Sequence, residues 1–362
     1  MKVGILTFHA ANNYGTCLQA YALQKSVEKL GAECEIIRLR GEKLSVPPAA
    51  PRSLSARVTD LVVKTGAKVV KSASQPAFER FRREHYHYSD WVEMDQLDAL
   101  NRRYDLFLSG SDQVWNYNIA GNLDVYLQTF VTDARKKSSY AASFGLSKLP
   151  ADLEQRYAQA LGSFFYLGIR EPEGARLAEE LTGRRAQVVV DPTQLLDRED
   201  WERVMQPVGS DKPYIMVYQL GFSKTLLQCA KKLSRDTGLR LVFVPFPEGT
   251  PLKGRYYPTI SPAQWVYLMW HARYVVTNSF HGTAFSIGFQ KDFYTEISLN
   301  LSALGSRITN LLDRYHLQDR RIGEGQLAFD CPIDYRLVEP LYQEDRQASL
   351  EFLRSALEGE AI

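Results

Sequence analysis

No CxxC pair occurs anywhere in the chain, and its four cysteines, Cys17, Cys34, Cys229 and Cys331, are far apart. That spacing argues against a zinc site and against a disulfide framework, and it suits a reducing compartment. Long apolar runs are missing too: none approaches the roughly 20 residues of a membrane-spanning helix. The opening MKVGILTF enters a strand directly, with no signal-peptide pattern. A cytoplasmic location is therefore expected. An excess of one charge is lacking, since the net charge is only +2; nothing in it argues for a nucleic-acid partner. No metal-ligating cluster and no cofactor motif are visible, so activity is expected to survive a chelator. The first strand is not followed by GxGxxG, which removes the fingerprint of a dinucleotide site.

What remains is the make-up of a folded protein of more than one domain. The chain has 362 residues, 45% hydrophobic and 24% charged, more than one core usually serves. Twenty tyrosines and five tryptophans exceed a minimal core; some are candidates for a sugar-binding cleft, the rest for packing. Lys2–Phe8 reads as a buried strand, His9–Thr16 as a turn-rich loop, Cys17–Leu30 as a helix closed by Gly31, and Cys34–Leu39 as the next strand. This opening is typical of a doubly wound α/β domain. Leu54–Val70 reads as a basic amphipathic helix, with Val58, Leu61, Val62 and Val69 on one face. Two readings stay open for it: a helix lying on an anionic membrane surface, or a peripheral helix with a solvated basic face.

Strands then recur at Tyr104–Ser109, Ser138–Ser143, Tyr166–Ile169 and Ala186–Val190, with helices at Phe78–Tyr88, Leu153–Phe165 and Gly174–Leu181. Gly110-Ser111-Asp112-Gln113-Val114-Trp115-Asn116 falls at the end of a strand, where ligands of open α/β sheets collect. For Asp112 a capping role and a ligand role both stay open. Arg170, also at a strand end, suits a phosphate or carboxylate clamp, or an ion pair with Glu171 or another carboxylate. Pro192 stops its strand, so Asp191 reads as structural. The polar stretch from Asp197 to Pro213 marks the domain boundary. The rhythm restarts at Tyr214–Leu220 and runs to a long terminal helix at Pro340–Leu357.

The expected architecture is α/β, two Rossmann-like domains facing a cleft, GT-B-like. Residues 1–197 form the acceptor side, 198–335 the donor side, and 336–362 a C-terminal helix crossing back to the first domain. Within the second domain, Val275–Glu296 reads as strand, tight turn, helix, strand. A helix start of this kind favours an anion, and His281 is its one side chain that titrates near neutrality. A capping or core role for that histidine stays open. Strand ends select His9, Asn13, Tyr14, Asp112, Asn116 and Arg170 from the first half, and Asn278, Ser279, His281 and Arg307 from the second.

Four segments resemble the polysaccharide pyruvyl transferase family. They are Asn13-Tyr14-Gly15-Thr16 running into Leu18–Leu23, Gly110–Asn116, Arg170-Glu171 with Asp191-Pro192-Thr193, and Asn278–Thr283. The resemblance implies transfer of a pyruvyl group from phosphoenolpyruvate to two hydroxyls of a sugar, giving a cyclic ketal. It implies a surface-polysaccharide unit or a polyprenyl-linked glycan as acceptor, and so peripheral contact with the inner face of the membrane. It marks Arg170 and His281 as donor-binding; from the residues themselves, His281 and Asp112 are the catalytic candidates, with His9 the other candidate for the base. Arg170, Asn278, Ser279 and Arg307 take the donor side, and His9, Asn13, Tyr14 and Asn116 the acceptor side. In well-studied members an arginine often stands two residues before the histidine; here that residue is Ser279, and Arg307 is the candidate to compensate. Two rival readings remain. A GT-B glycosyltransferase using a nucleotide sugar would need an acidic residue for the ribose after the His281 unit, and only Glu296 is at hand. A non-catalytic carbohydrate-binding protein would carry a degenerate site.

Overall fold

Strands that read as unbroken buried runs, rather than alternating ones, belong in parallel sheets covered on both faces, and that is what the residues form. The computed structural model describes residues 1–41, 73–209, 212–244, 252–297, 302–323, 329 and 331–359, with backbone alone at 302–305. The basic helix expected at 54–70 lies outside the described residues. By contacts the chain divides into two units: Met1–Pro48, His85–Leu196 and Gln343–Ile362 make the first, and Ala49–Glu84 with Asp197–Tyr342 the second.

The first stretch of chain runs β1 (Lys2–Leu6), α1 (Tyr14–Lys29), β2 (Glu33–Leu39), α2 (73–85), β3 (Tyr88–Val92), β4 (Leu106–Ser109), α3 (Leu123–Tyr126), β5 (Lys137–Ala142), α4 (Ala151–Gly162), β6 (Tyr166–Ile169), α5 (Pro172–Thr182) and β7 (Gln187–Val188). Its seven strands lie in the order β3-β2-β1-β4-β5-β6-β7, and every pairing is parallel. The order reverses between β1 and β4, the switch point at which such sheets open a crevice at their carboxyl edge. The core beneath is aromatic: Trp115 meets Phe164 edge-on at 5.7 Å and Phe144 at 5.3 Å.

The second stretch runs α6 (Arg198–Val204), β8 (Tyr214–Tyr218), α7 (Lys224–Thr237), β9 (Arg240–Phe243), β10 (Arg255–Tyr256), α8 (Pro262–His271), β11 (Tyr274–Thr277), α9 (Phe280–Gly288), β12 (Asp292–Thr295), α10 (Ser302–Arg314) and α11 (Tyr335–Glu358). The five strands follow β10-β9-β8-β11-β12, again all parallel, with the reversal between β8 and β11. α9 is seated by aromatic packing: Trp265 of α8 lies 5.1 Å from Phe285, Trp201 of α6 lies 4.9 Å from the same ring, and Tyr218 lies 5.1 Å from Trp265. Burying rings of this size stabilises by about 1.5–3 kcal/mol each, and truncating Trp265 to alanine would remove about 3–5 kcal/mol.

Several elements differ from the sequence expectation, α6 among them, which falls inside the stretch read as a polar domain boundary. Tyr88 begins β3 instead of ending a helix, because YSDWV is a half-exposed edge strand whose apolar pattern is weak. The strand expected at Ala186–Val190 shrinks to Gln187–Val188 at the sheet's other edge. α11 begins at Tyr335, ahead of Pro340, which sits inside the helix; proline favours a first turn, so it read as the start. The later part of α11 packs on the first sheet. Tyr166 Oη donates to the Ser355 carbonyl at 2.8 Å, and the Val190 N–H donates to Ser349 Oγ at 3.0 Å.

Candidate active site

At the carboxyl edge of the first sheet, the loop after β1 and the turn after β4 are tied together by side chains. Thr7 Oγ1 donates to the Ser111 carbonyl at 2.9 Å. Gln19, buried in α1, donates to Thr7 Oγ1 at 3.0 Å and to the Phe8 and Thr16 carbonyls at 3.1 Å. Gly110 is needed for closeness: a Cβ there would stand 2.9 Å from Leu23 Cδ2 and from Thr7 Cβ. Beyond it Asp112 has φ +75°, a conformation that costs a non-glycine residue energy and persists where its surroundings enforce it. Its carboxylate supplies that enforcement. Oδ1 accepts from the Gln113 N–H at 2.9 Å, and Oδ2 accepts from Thr16 Oγ1 at 2.7 Å. The Asp112 carbonyl takes the N–H groups of Val114 and Ser143.

The other first-half candidates take up defined places. Asn13 caps α1, accepting from the Thr16 N–H at 3.2 Å, and Tyr14 is buried in the first turn. His9 is buried with Nδ1 3.2 Å from Tyr88 Oη. Asn116 is buried too, donating to Gln113 Oε1 and accepting from the Asn118 N–H, both at 3.0 Å.

Arg170 lies in the interior, its side chain 2% exposed. Nη1 donates to Asp191 Oδ2 at 2.9 Å and to Ser111 Oγ at 3.2 Å, and Nε lies 3.9 Å from Glu171 Oε2. Burial would lower the guanidinium pKa, but the charges of Asp191, Glu171 and Asp112 outweigh it and raise it. Asp191 is a junction: Oδ1 accepts from the Thr193 N–H and Oγ1, and Oδ2 also accepts from Ser111 Oγ at 2.9 Å. Glu171 uses Oε1 to receive Ser143 Oγ and the N–H groups of Phe144 and Gly145. Of the two roles open to Arg170, the ion pair is the one the described residues contain.

In the second unit the turn between β11 and α9 carries four candidates. Asn278 reaches across to the loop after β8: Oδ1 accepts from the Leu220 N–H at 2.7 Å and Nδ2 donates to its carbonyl at 3.2 Å. Ser279 caps α9, accepting from the Gly282 N–H at 3.3 Å, and it is also hydrogen-bonded to Tyr218. The Tyr218 phenol is pushed up by burial and eased back by that bond. His281, in the first turn of α9, is 8% exposed and meets the Phe280 ring edge-on at 5.2 Å. Arg307 of α10 places its guanidinium 5.5 Å from the same Phe280 ring, so a cation does reach the start of α9 although Ser279 stands where an arginine was looked for. Gly282 allows α9 to begin this close to the sheet: a Cβ there would meet Thr277 Oγ1 and stand 3.0 Å from Tyr218 Cδ1.

Sequence reasoning missed Gln219, Thr16 and Gln19. Thr16 and Gln19 lay inside segments already singled out; the two glutamines are buried amides, and nothing local marks their burial. Among the described residues no group of His, Cys, Asp or Glu is placed to hold a metal ion, and no helix is long and apolar enough to cross a membrane.

A family model described as polysaccharide pyruvyl transferase matches residues 13–295. No curated protein matches the chain. Among solved structures, the UDP-N-acetylglucosamine 2-epimerase of Rickettsia bellii is 10% identical, with TM-score 0.51, covering 99% of this chain and 96% of that one. The UDP-GlcNAc 2-epimerase of Methanocaldococcus jannaschii is 8% identical, with TM-score 0.47, over 86% and 92%. The E. coli ADP-heptose LPS heptosyltransferase II is 12% identical, with TM-score 0.37, over 97% and 99%. At these identities the Rickettsia likeness shows the fold alone, which is GT-B-like.

Proposed function

Since the chain belongs to the polysaccharide pyruvyl transferase family, we propose that it moves a pyruvyl group from phosphoenolpyruvate to two hydroxyls of one sugar. The sugar is part of a surface polysaccharide or of its polyprenyl-linked precursor, which would bring the enzyme to the inner face of the membrane. The observation that carries the donor assignment is the start of α9. His281 lies in its first turn, edge-on to the Phe280 ring, and the Arg307 guanidinium lies 5.5 Å from that ring's centre. A helix N-terminus with a titratable imidazole and a nearby guanidinium is suited to a phosphorylated carboxylate.

The chemistry asks for a proton on the methylene carbon of phosphoenolpyruvate, which makes C2 electrophilic. A sugar hydroxyl bonds to C2, the C2–O bond to phosphate breaks, and the second hydroxyl closes the ketal. Of the two hydroxyl protons, one balances the new methyl group and the other leaves with inorganic phosphate. His281 in this reading binds the phosphate and protonates it on departure. Asp112 accepts a proton from the attacking hydroxyl; its left-handed backbone and its bond to Thr16 are what support that place. Arg170, whose charge is matched by Asp191 and Glu171, fixes Ser111 next to Asp112 and so acts on the site by positioning. His9, Asn13, Tyr14 and Asn116 mark the acceptor side, and Asn278 and Ser279 shape the donor turn.

The test is to mix the purified chain with phosphoenolpyruvate and a panel of glycans and follow inorganic phosphate and acceptor mass. Phosphate release coupled to a pyruvate-ketal gain is expected. Turnover with a nucleotide sugar in its place would overturn the reading, as would glycan binding without turnover on any donor.

A further inference from the structure

Gln219 is 6% exposed, yet among the described residues neither its Oε1 nor its Nε2 has a hydrogen-bond partner. Burying an amide with both ends unbonded is unfavourable, and native folds rarely keep one without a use. Its position gives the use. It follows directly on β8, at the reversal of strand order in the second sheet. Tyr218 pairs with Thr277, so Gln219 stands abreast of Asn278. On one side its backbone is held by the sheet. On the other, Leu220 is held through both its N–H and its carbonyl by Asn278. In the neighbouring β11 and α9 the polar side chains are engaged with one another: Thr277 accepts from the Ser279 N–H, Thr283 bonds to the Ser279 carbonyl and Thr295, and Ser286 donates to the Gly282 carbonyl. An amide with no partner among the described residues, on a backbone held from both sides, thus stands at the crevice point of this sheet, next to the turn that starts α9.

We propose that Gln219 is a binding residue for the phosphate of the three-carbon donor. Nε2 donates to a phosphate oxygen, and Oε1 accepts the hydroxyl of the monoprotonated group. A carboxylate could use only the Nε2 end. A phosphate ester, whose second ionisation lies at about pH 6, offers both partners near neutrality. The proposal rests on the donor reading above and gives it the neutral contact that Ser279, committed to capping α9, does not make.

Two variants of the full chain test it by calorimetry with phosphoenolpyruvate, inorganic phosphate and pyruvate as separate probes. Gln219→Met keeps the length and removes the amide; Gln219→Glu keeps the shape and sets a carboxylate against an anion. Because the amide has no partner among the described residues, Gln219→Met should melt at or above the wild-type temperature. It should also weaken phosphoenolpyruvate and inorganic phosphate binding roughly ten- to hundredfold. Gln219→Glu should weaken both further, with pyruvate binding and acceptor KM unmoved in either variant. A clear drop in melting temperature for Gln219→Met would make the amide structural and overturn the proposal. So would loss of pyruvate binding with inorganic phosphate unaffected. Equal phosphoenolpyruvate affinity in wild type and variants overturns this assignment alone. A wild type with no affinity for phosphoenolpyruvate overturns the donor reading and this with it.

Discussion

Replacing Asp191 with alanine is the sharpest probe of the first unit, because it separates the two roles that an arginine at this strand end can play. Asp191 and Arg170 form a pair with side chains 0% and 2% exposed, 2.9 Å apart. Removing the carboxylate strips Arg170 of its hydrogen-bonded counterion, leaving Glu171 at 3.9 Å. It also releases Ser111 Oγ and both donors of Thr193. Breaking one side of a buried pair costs about 3–5 kcal/mol, a large share of the ~5–15 kcal/mol that holds a domain folded. Asp191→Asn keeps the shape and, with its amide oxygen toward Thr193, both Thr193 bonds, while its NH2 faces Arg170; it should cost less, about 1.5–3 kcal/mol. Arg170→Met combined with Asp191→Leu removes both charges. Glu171 keeps its three donors on Oε1, so the double variant should be at least about 2 kcal/mol more stable than the sum of the single losses. Native-state hydrogen exchange read by mass spectrometry suits a two-unit chain, whose bulk unfolding need not be two-state. Peptides from β4 to β6 report the loss, and peptides from β8 and β11 serve as the control. If Asp191→Ala changed first-unit protection by less than about 0.5 kcal/mol while weakening phosphoenolpyruvate binding, Arg170 would be a ligand-facing cation and the positioning role would be refuted.

Other perturbations bear on the second unit. His281→Ala should lower kcat by roughly 10²–10⁴-fold if the imidazole is the general acid, with melting temperature nearly unchanged; a loss under tenfold removes it from that role. Gly282→Ala forces a Cβ against Thr277 and Tyr218 and should cost about 1–3 kcal/mol by overpacking; a melting temperature equal to wild type would mean the start of α9 can shift. Lys291 is brought down to about 8 by burial first, and then by Arg198 and Arg273. An unfolded lysine holds its proton to about 10.5, so from pH 8 to 10.5 the unfolded chain binds the extra proton and wild-type stability climbs with pH. Lys291→Met should flatten that climb and be the more stable protein below pH 8, as urea titrations across this range would register.

Much of this architecture was written in local patterns. Apolar runs such as YIMVY and YVVT have no face to alternate and so announced buried parallel strands, and the break at Asn278-Ser279 announced a turn into a helix, although α9 starts early enough to take His281 into its first turn. Asp191 before Pro192 announced a structural carboxylate, and it is one. Arg170 shows where local pattern stops. A strand-end arginine carries the same signal whether a ligand or Asp191 neutralises it, and only the tertiary arrangement brings in Ser111 and Asp191. Gln219, Gln19 and Gln128 show the same limit from another side. Gln128 joins Phe107, Ser109 and Ser138 from a buried position at φ +52°, yet a glutamine in sequence gives no hint of burial. β3 stayed hidden because an edge strand keeps polar residues.

The ties at the carboxyl edges also set an order of assembly. Thr7 reaches Ser111 from 104 residues away, Thr16 reaches Asp112 from 96, Ser111 reaches Asp191 from 80, and Asn278 reaches Leu220 from 58. None of these bonds can form until distant strands are already side by side, and closing such long loops is what slows folding. Helices and strand pairs can therefore exist before the edges that carry the chemistry do. On mild denaturation the exposed one of these, between Asn278 and Leu220, should open first. A ligand held at the turn before α9 would then be released ahead of any loss of helical signal, making its affinity a finer gauge of nativeness in this chain than circular dichroism.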